Sequence, residues 1–152
     1  MKNLIDVIQS RKSVRSYADK KVSEEDVQQI YDCAKAAPSA NGVYPWEIKV
    51  YQDKETLDLL SQTQTWANFV AEASACFVII GYPGRSEHWI EDCSVAAENI
   101  LLAVHALGLG SCWVAVRNMQ YGGKPAHHYV RETLSLPDDS EVLCMIPVGH
   151  LK

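Results

Sequence analysis

Three cations and a hydroxyl occupy five consecutive positions near the start of the chain. This basic cluster consists of Arg11, Lys12, Ser13, Val14 and Arg15. The first 21 residues hold six lysines and arginines against two acids, whereas the whole chain has a formal net charge of −5. Because an arginine fork donates two parallel charge-assisted hydrogen bonds to a phosphate, the cluster favours one small anionic ligand. The simpler alternative is that these cations complement the C-terminal end of a preceding helix.

Composition argues against several other functions. The 152 residues are enough for one domain with a substantial core, so we expect a single domain over residues 1–152. The negative net charge argues against nonspecific binding to nucleic acid or to an anionic membrane. No apolar run approaches the roughly 20 residues that a membrane span requires, and the start of the chain lacks the apolar core of a signal peptide. We therefore expect a cytoplasmic protein.

Cysteine and histidine spacing argues against a metal centre. The five cysteines are widely separated without a Cys-x-x-Cys pair, which is typical of reduced thiols. His127 and His128 are adjacent, so on a helix they point about 100° apart and cannot hold one ion together. We expect no metal site.

Hydrophobic periodicity predicts an α+β fold in three layers, with helices on both sides of one mixed or antiparallel sheet. The run 75–82 is continuously apolar, which indicates a central strand buried on both faces. The predicted helices, after a short first one carrying Leu4, Ile5 and Ile8, are 24–36, 54–61, 66–71, 87–107 and 126–134. The predicted strands are 46–51, 75–82, 111–116 and 142–148.

Four local signals follow one another along the chain. They are the basic cluster, the loop 37–46, the long helix with 96–99 (Ala-Ala-Glu-Asn), and the segment 108–113 (Gly-Leu-Gly-Ser-Cys-Trp). In this order and spacing the chain resembles the nitroreductase family, which are FMN-dependent NAD(P)H oxidoreductases built as homodimers. The resemblance covers nearly the whole chain and implies that FMN is the cofactor.

The resemblance assigns roles to the basic cluster. Arg11, Lys12 and Ser13 match the family residues that hold the FMN phosphate and the neighbouring ribityl oxygens. Arg15 matches the basic residue that reaches the ribityl and the N1–C2=O edge of the flavin. A cation there would offset the negative charge that reduced flavin carries at N1.

A second group of residues matches family segments that lie against the flavin ring. Pro38, Ser39 and Ala40 match a segment that the partner subunit supplies. Gly42 stands where the family commonly has asparagine, and Tyr44 stands where it has glutamine.

The last matching segment runs along the isoalloxazine, with a backbone amide near N5. Its residues here are Trp113, Val114, Ala115 and Val116. Trp113 and Trp46 are nevertheless better explained as core or interface anchors than as substrate-stacking groups. The small residues of the long helix, Ala96, Ala97 and Ala103, indicate close helix packing and a dimer seam.

The resemblance implies an enzyme with two active sites at a homodimer interface and ping-pong kinetics. Its substrates would be NAD(P)H and a nitroaromatic, quinone or similar small acceptor. Hydride passes directly between nicotinamide and flavin, so we assign no protein acid or base as a catalytic residue. One alternative is a related flavoenzyme, such as a dehalogenase or an oxidase, that acts on one dedicated metabolite. The other is a protein that stores or delivers FMN with little turnover. It gains slight support because the sequence ends at Lys152 where family members continue with a basic arm, and weaker retention of the phosphate suits release.

Overall fold

A computed structural model describes residues 3–152 as helices packed on an antiparallel sheet. Its α-helices are α1 (Leu4–Ser10), α2 (Glu24–Lys35), α3 (Lys54–Ser61), α4 (Trp89–Ala106) and α5 (Ala126–Thr133). Its strands are β1 (Trp46–Tyr51), β2 (Ala75–Gly81), β3 (Gly110–Ser111), β4 (Val114–Ala115), β5 (Gln120–Tyr121), β6 (Lys124–Pro125) and β7 (Glu141–Gly149). Short 3-10 helices span Ala40–Gly42 and Asn68–Glu72.

The main sheet is centred on β2 and β7. Its order is β1-β2-β7-β3, and β4 also pairs with β7 further along that strand. Every pairing between these strands is antiparallel. Each residue of β2 is buried, which confirms the predicted central strand.

The sheet separates two hydrophobic cores, because successive side chains of a strand point to opposite faces. Phe77 and Ile79 belong to the core formed with α2 and α4. Val78 and Ile80 belong to the core formed with α3 and α5. This arrangement confirms the predicted α+β class, with helices on both sides of the sheet.

Side-chain caps explain where two of these helices begin. The hydroxyl of Ser23 accepts the backbone N–H of Asp26 at 3.0 Å, and a carboxylate oxygen of Asp53 accepts that of Thr56 at 2.8 Å. Each contact satisfies one of the N–H groups that a helix start leaves unpaired. Ser23 therefore starts α2 where the sequence predicts it.

Three predicted elements differ from the structure. The predicted strand 111–116 is two short strands, β3 and β4, interrupted at Cys112 and Trp113. The predicted helix 66–71 is a 3-10 helix two residues further along. A loop was expected after residue 116, yet it contains the β5–β6 hairpin, whose Gly122 and Gly123 have φ of 54° and 78°. Glycine enters this left-handed region without steric cost, which permits the tight turn.

Within residues 3–152, no helix is both long enough and apolar enough to cross a lipid bilayer.

Candidate functional site

The basic cluster lies against the edge of the sheet at β3. Ser13 forms a parallel β-bridge with Ser111, and the backbone N–H of Val14 donates to the Ser111 carbonyl at 2.8 Å. A Cβ added at Gly110 would lie 2.8 Å from the Val14 side chain, so only glycine permits this approach. Two segments far apart in the sequence therefore meet in one place.

Tyr17 locks the basic cluster to the last strand. Its side chain is buried, its hydroxyl donates to the Val14 carbonyl at 2.8 Å, and the Pro147 carbonyl lies 3.2 Å from the same oxygen. The ring occupies the space that a side chain on Gly149 would need, since an added Cβ would lie 2.8 Å from it. Burial raises the pKa of Tyr17 far above its usual value, so the phenol keeps its proton. The sequence analysis did not identify the packing of Tyr17 against Gly149.

A cavity of about 590 Å³ opens beside the cluster. That size is within the range typical of small-molecule sites. Three cations line it, Lys12, Arg15 and Lys152. The other lining residues are Ser13, Val14, Ser16 and Leu151.

Arg11 has a different position from the other cations of the cluster. It is the C-cap residue of α1, and its backbone N–H donates to the Val7 carbonyl at 3.0 Å. Arg11 is therefore at the C-terminal end of a helix, as the simpler alternative expects of these cations. Lys12 and Arg15 instead line the cavity.

Glu72 connects the last residue of the sequence to the cluster. Its carboxylate lies 3.1 Å from the Lys152 ammonium and 3.5 Å from the backbone nitrogen of Tyr17. The hydrogen bond from Lys152 is the main reason that the pKa of Glu72 is lowered. Glu72 thus holds Lys152 beside the cavity.

The segment 113–116 follows β3, the strand against which the basic cluster lies. The side chains of Val114 and Val116 are buried in the same core as Tyr17, so only their backbone can face a ligand. Ala115 is half-buried and pairs with Cys144 of β7. Trp113 is half-buried against the opposite core, as expected of a packing anchor.

The loop after α2 is fastened to α4 by a buried carboxylate. Asp92 is 5% exposed and accepts the backbone N–H of Ala40 at 2.9 Å and the hydroxyl of Ser39 at 3.2 Å. The same hydroxyl oxygen accepts the backbone N–H of Tyr44 at 2.7 Å. Pro38, just before these contacts, is exposed. Sequence reasoning missed Asp92, whose only signal was an acid within a largely apolar helix.

This loop contains an unusual run of left-handed backbone. Asn41, Gly42 and Tyr44 have φ of 54°, 62° and 51°. Glycine and asparagine enter this region most readily, so Gly42 is a conformationally suitable replacement for the asparagine that the family commonly has there. Tyr44 has no such freedom; the residue is 53% exposed, and its ring packs edge-on to Trp46.

The two predicted groups of site residues lie at opposite ends of α4. The loop 38–42 is held at Asp92, near the start of the helix. The start of the basic cluster is held near its end, where the Ser10 hydroxyl lies 2.8 Å from Nε2 of His105. At 1.5 Å per residue these anchors are about 20 Å apart along the helix. A single protomer therefore does not bring the loop to the cavity.

The small residues of α4 have two different environments. Ala96 and Ala97 are fully buried in the protomer's own core, which corrects the expectation that they form a dimer seam. Ala103 and Asn99 instead line a cavity of about 440 Å³ between α1, α2 and α4.

Comparison with known proteins shows the family to which this chain is similar. The Nitroreductase family model matches residues 8–78 and 58–150. An Archaeoglobus fulgidus protein, named as a candidate NADH dehydrogenase/NAD(P)H nitroreductase, is 35% identical over all of this chain and 87% of its own length.

Solved structures agree with the sequence match. An FMN-dependent nitroreductase from Clostridium difficile has a TM-score of 0.93 and 40% identity, covering 96% of this chain and 86% of its own. A nitroreductase-like protein from Desulfovibrio desulfuricans, solved in complex with FMN, has a TM-score of 0.84 and 25% identity, covering 99% of this chain and 87% of its own. With matches over almost its whole length, the chain belongs to the nitroreductase family.

Proposed function

We propose that this protein is an FMN-dependent NAD(P)H oxidoreductase that acts as a homodimer and reduces nitroaromatic, quinone or similar small acceptors. Its 152 residues form one FMN-binding domain. The observation that carries the proposal is the meeting of the basic cluster with β3 at a cavity lined by Lys12, Arg15 and Lys152. The cytoplasm is the proposed location, since the five cysteines are free thiols, as expected in a reducing compartment.

The residues at the cavity fit a flavin phosphate. A phosphate carries up to two negative charges, and Lys12 and Lys152 provide cations that can donate charge-assisted hydrogen bonds to it, while Arg15, which lines the same cavity, is proposed to reach the ribityl and the N1–C2=O edge of the flavin. Ser13 adds a hydroxyl that can donate to a phosphate or ribityl oxygen. Arg11, whose backbone caps α1, is proposed to hold the same phosphate with its guanidinium. Tyr17 and Gly149 keep the segment in place without taking part themselves.

The homodimer is proposed because one protomer contains only part of the site. Pro38, Ser39, Ala40 and Gly42, which the resemblance places against the flavin, lie about 20 Å along α4 from the anchor of the basic cluster, and this distance supports their supply by a second copy. An apolar surface is available for that copy. Leu4, Ile5 and Ile8 of α1 are 66%, 59% and 49% exposed. Contiguous exposed apolar surface of this kind marks an interaction site.

FMN, when bound, supplies the redox chemistry by taking a hydride from NAD(P)H and passing electrons to the acceptor. The chain's own contribution is binding and charge. Arg15 places a permanent cation at the cavity, which favours negative charge on a bound ligand. The segment 113–116, which the resemblance places along the flavin ring, follows Ser111 of β3, and the side chains of Val114 and Val116 are buried in the core. NAD(P)H and the electron acceptor are proposed to occupy the site in turn, which gives ping-pong kinetics.

One experiment separates this enzyme from a protein that stores or delivers FMN. The protein is saturated with FMN, and oxidation of NADH and of NADPH is followed at 340 nm with a quinone or a nitroaromatic as acceptor. Sustained turnover, with parallel lines in double-reciprocal plots, is the expected result. Stoichiometric FMN binding without turnover of either nucleotide would instead identify a storage protein. Turnover restricted to one metabolite would identify a dedicated flavoenzyme.

A further inference from the structure

A second charged cavity lies at the other end of α4, beside the loop that Asp92 anchors. Its volume is about 390 Å³, and it lies between that loop and the connection from β2 to α4. The loop contributes Asn41 and Val43 to its lining. The connection contributes Pro83, Gly84, Arg85, Ser86, Glu87 and His88. None of these residues belongs to the cavity at the basic cluster.

Arg85 is positioned in this cavity by an aromatic ring. Its guanidinium carbon lies 3.8 Å from the centroid of the Tyr82 ring, a distance typical of a cation–π contact. The ring is itself fixed, because Tyr82 is 5% exposed and its hydroxyl donates to a carboxylate oxygen of Glu47 at 2.7 Å. Burial, together with that hydrogen bond, raises the pKa of Tyr82 to about 12, so the hydroxyl remains protonated.

Within residues 3–152, the guanidinium N–H donors of Arg85 form no hydrogen bond. Its guanidinium forms no ion pair with any of residues 3–152, although Glu87 lines the same cavity. Stacking fixes the plane of a guanidinium while leaving the edge that carries its five N–H donors available. An arginine held in this way is suited to a phosphate, which accepts two parallel hydrogen bonds from it. Asn41, Ser86 and His88 add polar groups around the same space.

We infer that Arg85 and this cavity bind a phosphate group of the pyridine nucleotide. The inference rests on the proposed function, in which the loop 38–42 of one copy lies against the FMN of the other. Because Asn41 belongs to that loop and Val43 follows it, the cavity would open next to the place where a nicotinamide stacks on that flavin. The phosphates of the same nucleotide then extend towards Arg85. The bound phosphate is either the 2′-phosphate of NADPH, in which case Arg85 favours NADPH over NADH, or the 5′-diphosphate common to both nucleotides.

Calorimetric titration of the FMN-loaded protein tests this inference with two probes that cannot be reduced, 5′-ADP and 2′,5′-ADP. Arg85→Gln removes the charge, and Arg85→Lys keeps the charge but removes the planar fork. Lys124→Gln, on the exposed strand β6 outside the cavity, makes the same change of charge as a control. We expect Arg85→Gln to weaken binding about 10-fold, corresponding to one lost charge-assisted contact. Arg85→Lys has an intermediate effect and Lys124→Gln has none.

The probe whose affinity falls in Arg85→Gln identifies the phosphate that Arg85 binds. A loss confined to 2′,5′-ADP, with a matching rise in KM for NADPH alone, assigns Arg85 to the 2′-phosphate. An equal loss for both probes, with KM raised for both nucleotides, assigns it to the 5′-phosphates. Unchanged affinities in Arg85→Gln, or no binding of either probe to the unmodified protein, overturn the inference. The proposed function fails separately, if the FMN-loaded protein binds the probes but oxidises neither NADH nor NADPH.

Discussion

The buried carboxylate of Asp92 accepts the backbone N–H of Ala40 at 2.9 Å, which ties the loop after α2 to the first turns of α4. The same carboxylate receives the Ser39 hydroxyl, so one side chain holds two consecutive residues of the segment that is proposed to cover the partner's flavin. A carboxylate near the start of a helix is also favoured by the helix dipole. Asp92 is therefore both a structural anchor and the residue that positions the loop.

Replacing Asp92 by alanine should destabilise the protein. The change leaves the Ala40 N–H without its partner, and a lost hydrogen bond to a charged group costs about 1.5–3 kcal/mol. Asp92→Asn keeps an oxygen acceptor and should lose less. Urea denaturation measures the free energy of unfolding of both variants. Equal stability of Asp92→Ala and the unmodified protein would show that the loop is held by other contacts.

Substitution of Gly149 tests the packing of Tyr17 against the last strand, β7. The added methyl of Gly149→Ala would lie 2.8 Å from the Tyr17 ring, so either the ring or the strand must move. Overpacking of this kind typically costs about 1–3 kcal/mol. The matched control is Gly84→Ala, because a Cβ there meets no atom within 4 Å. We expect thermal denaturation to show a lower Tm for Gly149→Ala only, together with weaker FMN binding. Similar behaviour of the two variants would contradict this account.

The phosphate role of the basic cluster is tested by comparing FMN with riboflavin. Lys12→Ala removes one cation from the cavity and should raise the Kd for FMN about 10-fold. Riboflavin lacks the phosphate, so its Kd should stay the same. Flavin fluorescence titration measures both constants. If Lys12→Ala weakens the two flavins equally, Lys12 does not contact the phosphate.

The exposed apolar face of α1 should be buried in the dimer. Combining Leu4→Lys with Ile8→Lys places two charges on that face, whereas Leu59→Lys changes a partly exposed leucine on α3 as a control. Sedimentation should show a dimer for the unmodified protein and the control. We expect the interface of that dimer to bury more than ~2,000 Å² in total, as in obligate pairs. The double variant should be monomeric and bind FMN poorly. An unmodified protein that is a monomer with full activity would refute the proposed dimer.

Acid should weaken the contact between Glu72 and Lys152. The pKa of Glu72 is lowered in the folded protein, mainly by the hydrogen bond from Lys152. A carboxylate of this kind stabilises the fold above its unfolded pKa of about 4.3, and that contribution disappears as pH falls through the lower folded value. Glu72→Gln should therefore be less stable than the unmodified protein at pH 7, and the difference should shrink below pH 4. Urea midpoints at a series of pH values measure this, and a difference that does not depend on pH would exclude the ion pair as its cause.

Local chemistry explains what could be predicted from the sequence. The continuous apolar run of β2 indicates a strand buried on both faces, and Ser23 marks the start of α2, because both features depend only on neighbouring residues. The density of cations at 11–15 likewise indicates an anion site without any knowledge of the fold. The resemblance to the family rests on such local signals in a fixed order.

Contacts between distant residues explain what could not be predicted. The division of 111–116 into β3 and β4 depends on its pairing with β7, and the burial of Ala96 and Ala97 depends on α2 and the sheet. Neither partner can be identified from hydrophobic periodicity alone.

The sequence by itself determined which residues carry charge, which strands are buried and which family the chain resembles. Only the tertiary structure decided that Ser13 meets Ser111 and that Lys12 and Arg15 line a cavity while Arg11 ends a helix. It also decided that Asp92 holds the loop after α2 at a point about 20 Å along α4 from His105, where Ser10 is held. The physical reason is that side-chain type sets what a residue can bind. Its partners are set by how the sheet and helices pack, because burial favours only the pairings in which distant apolar faces and polar groups satisfy one another.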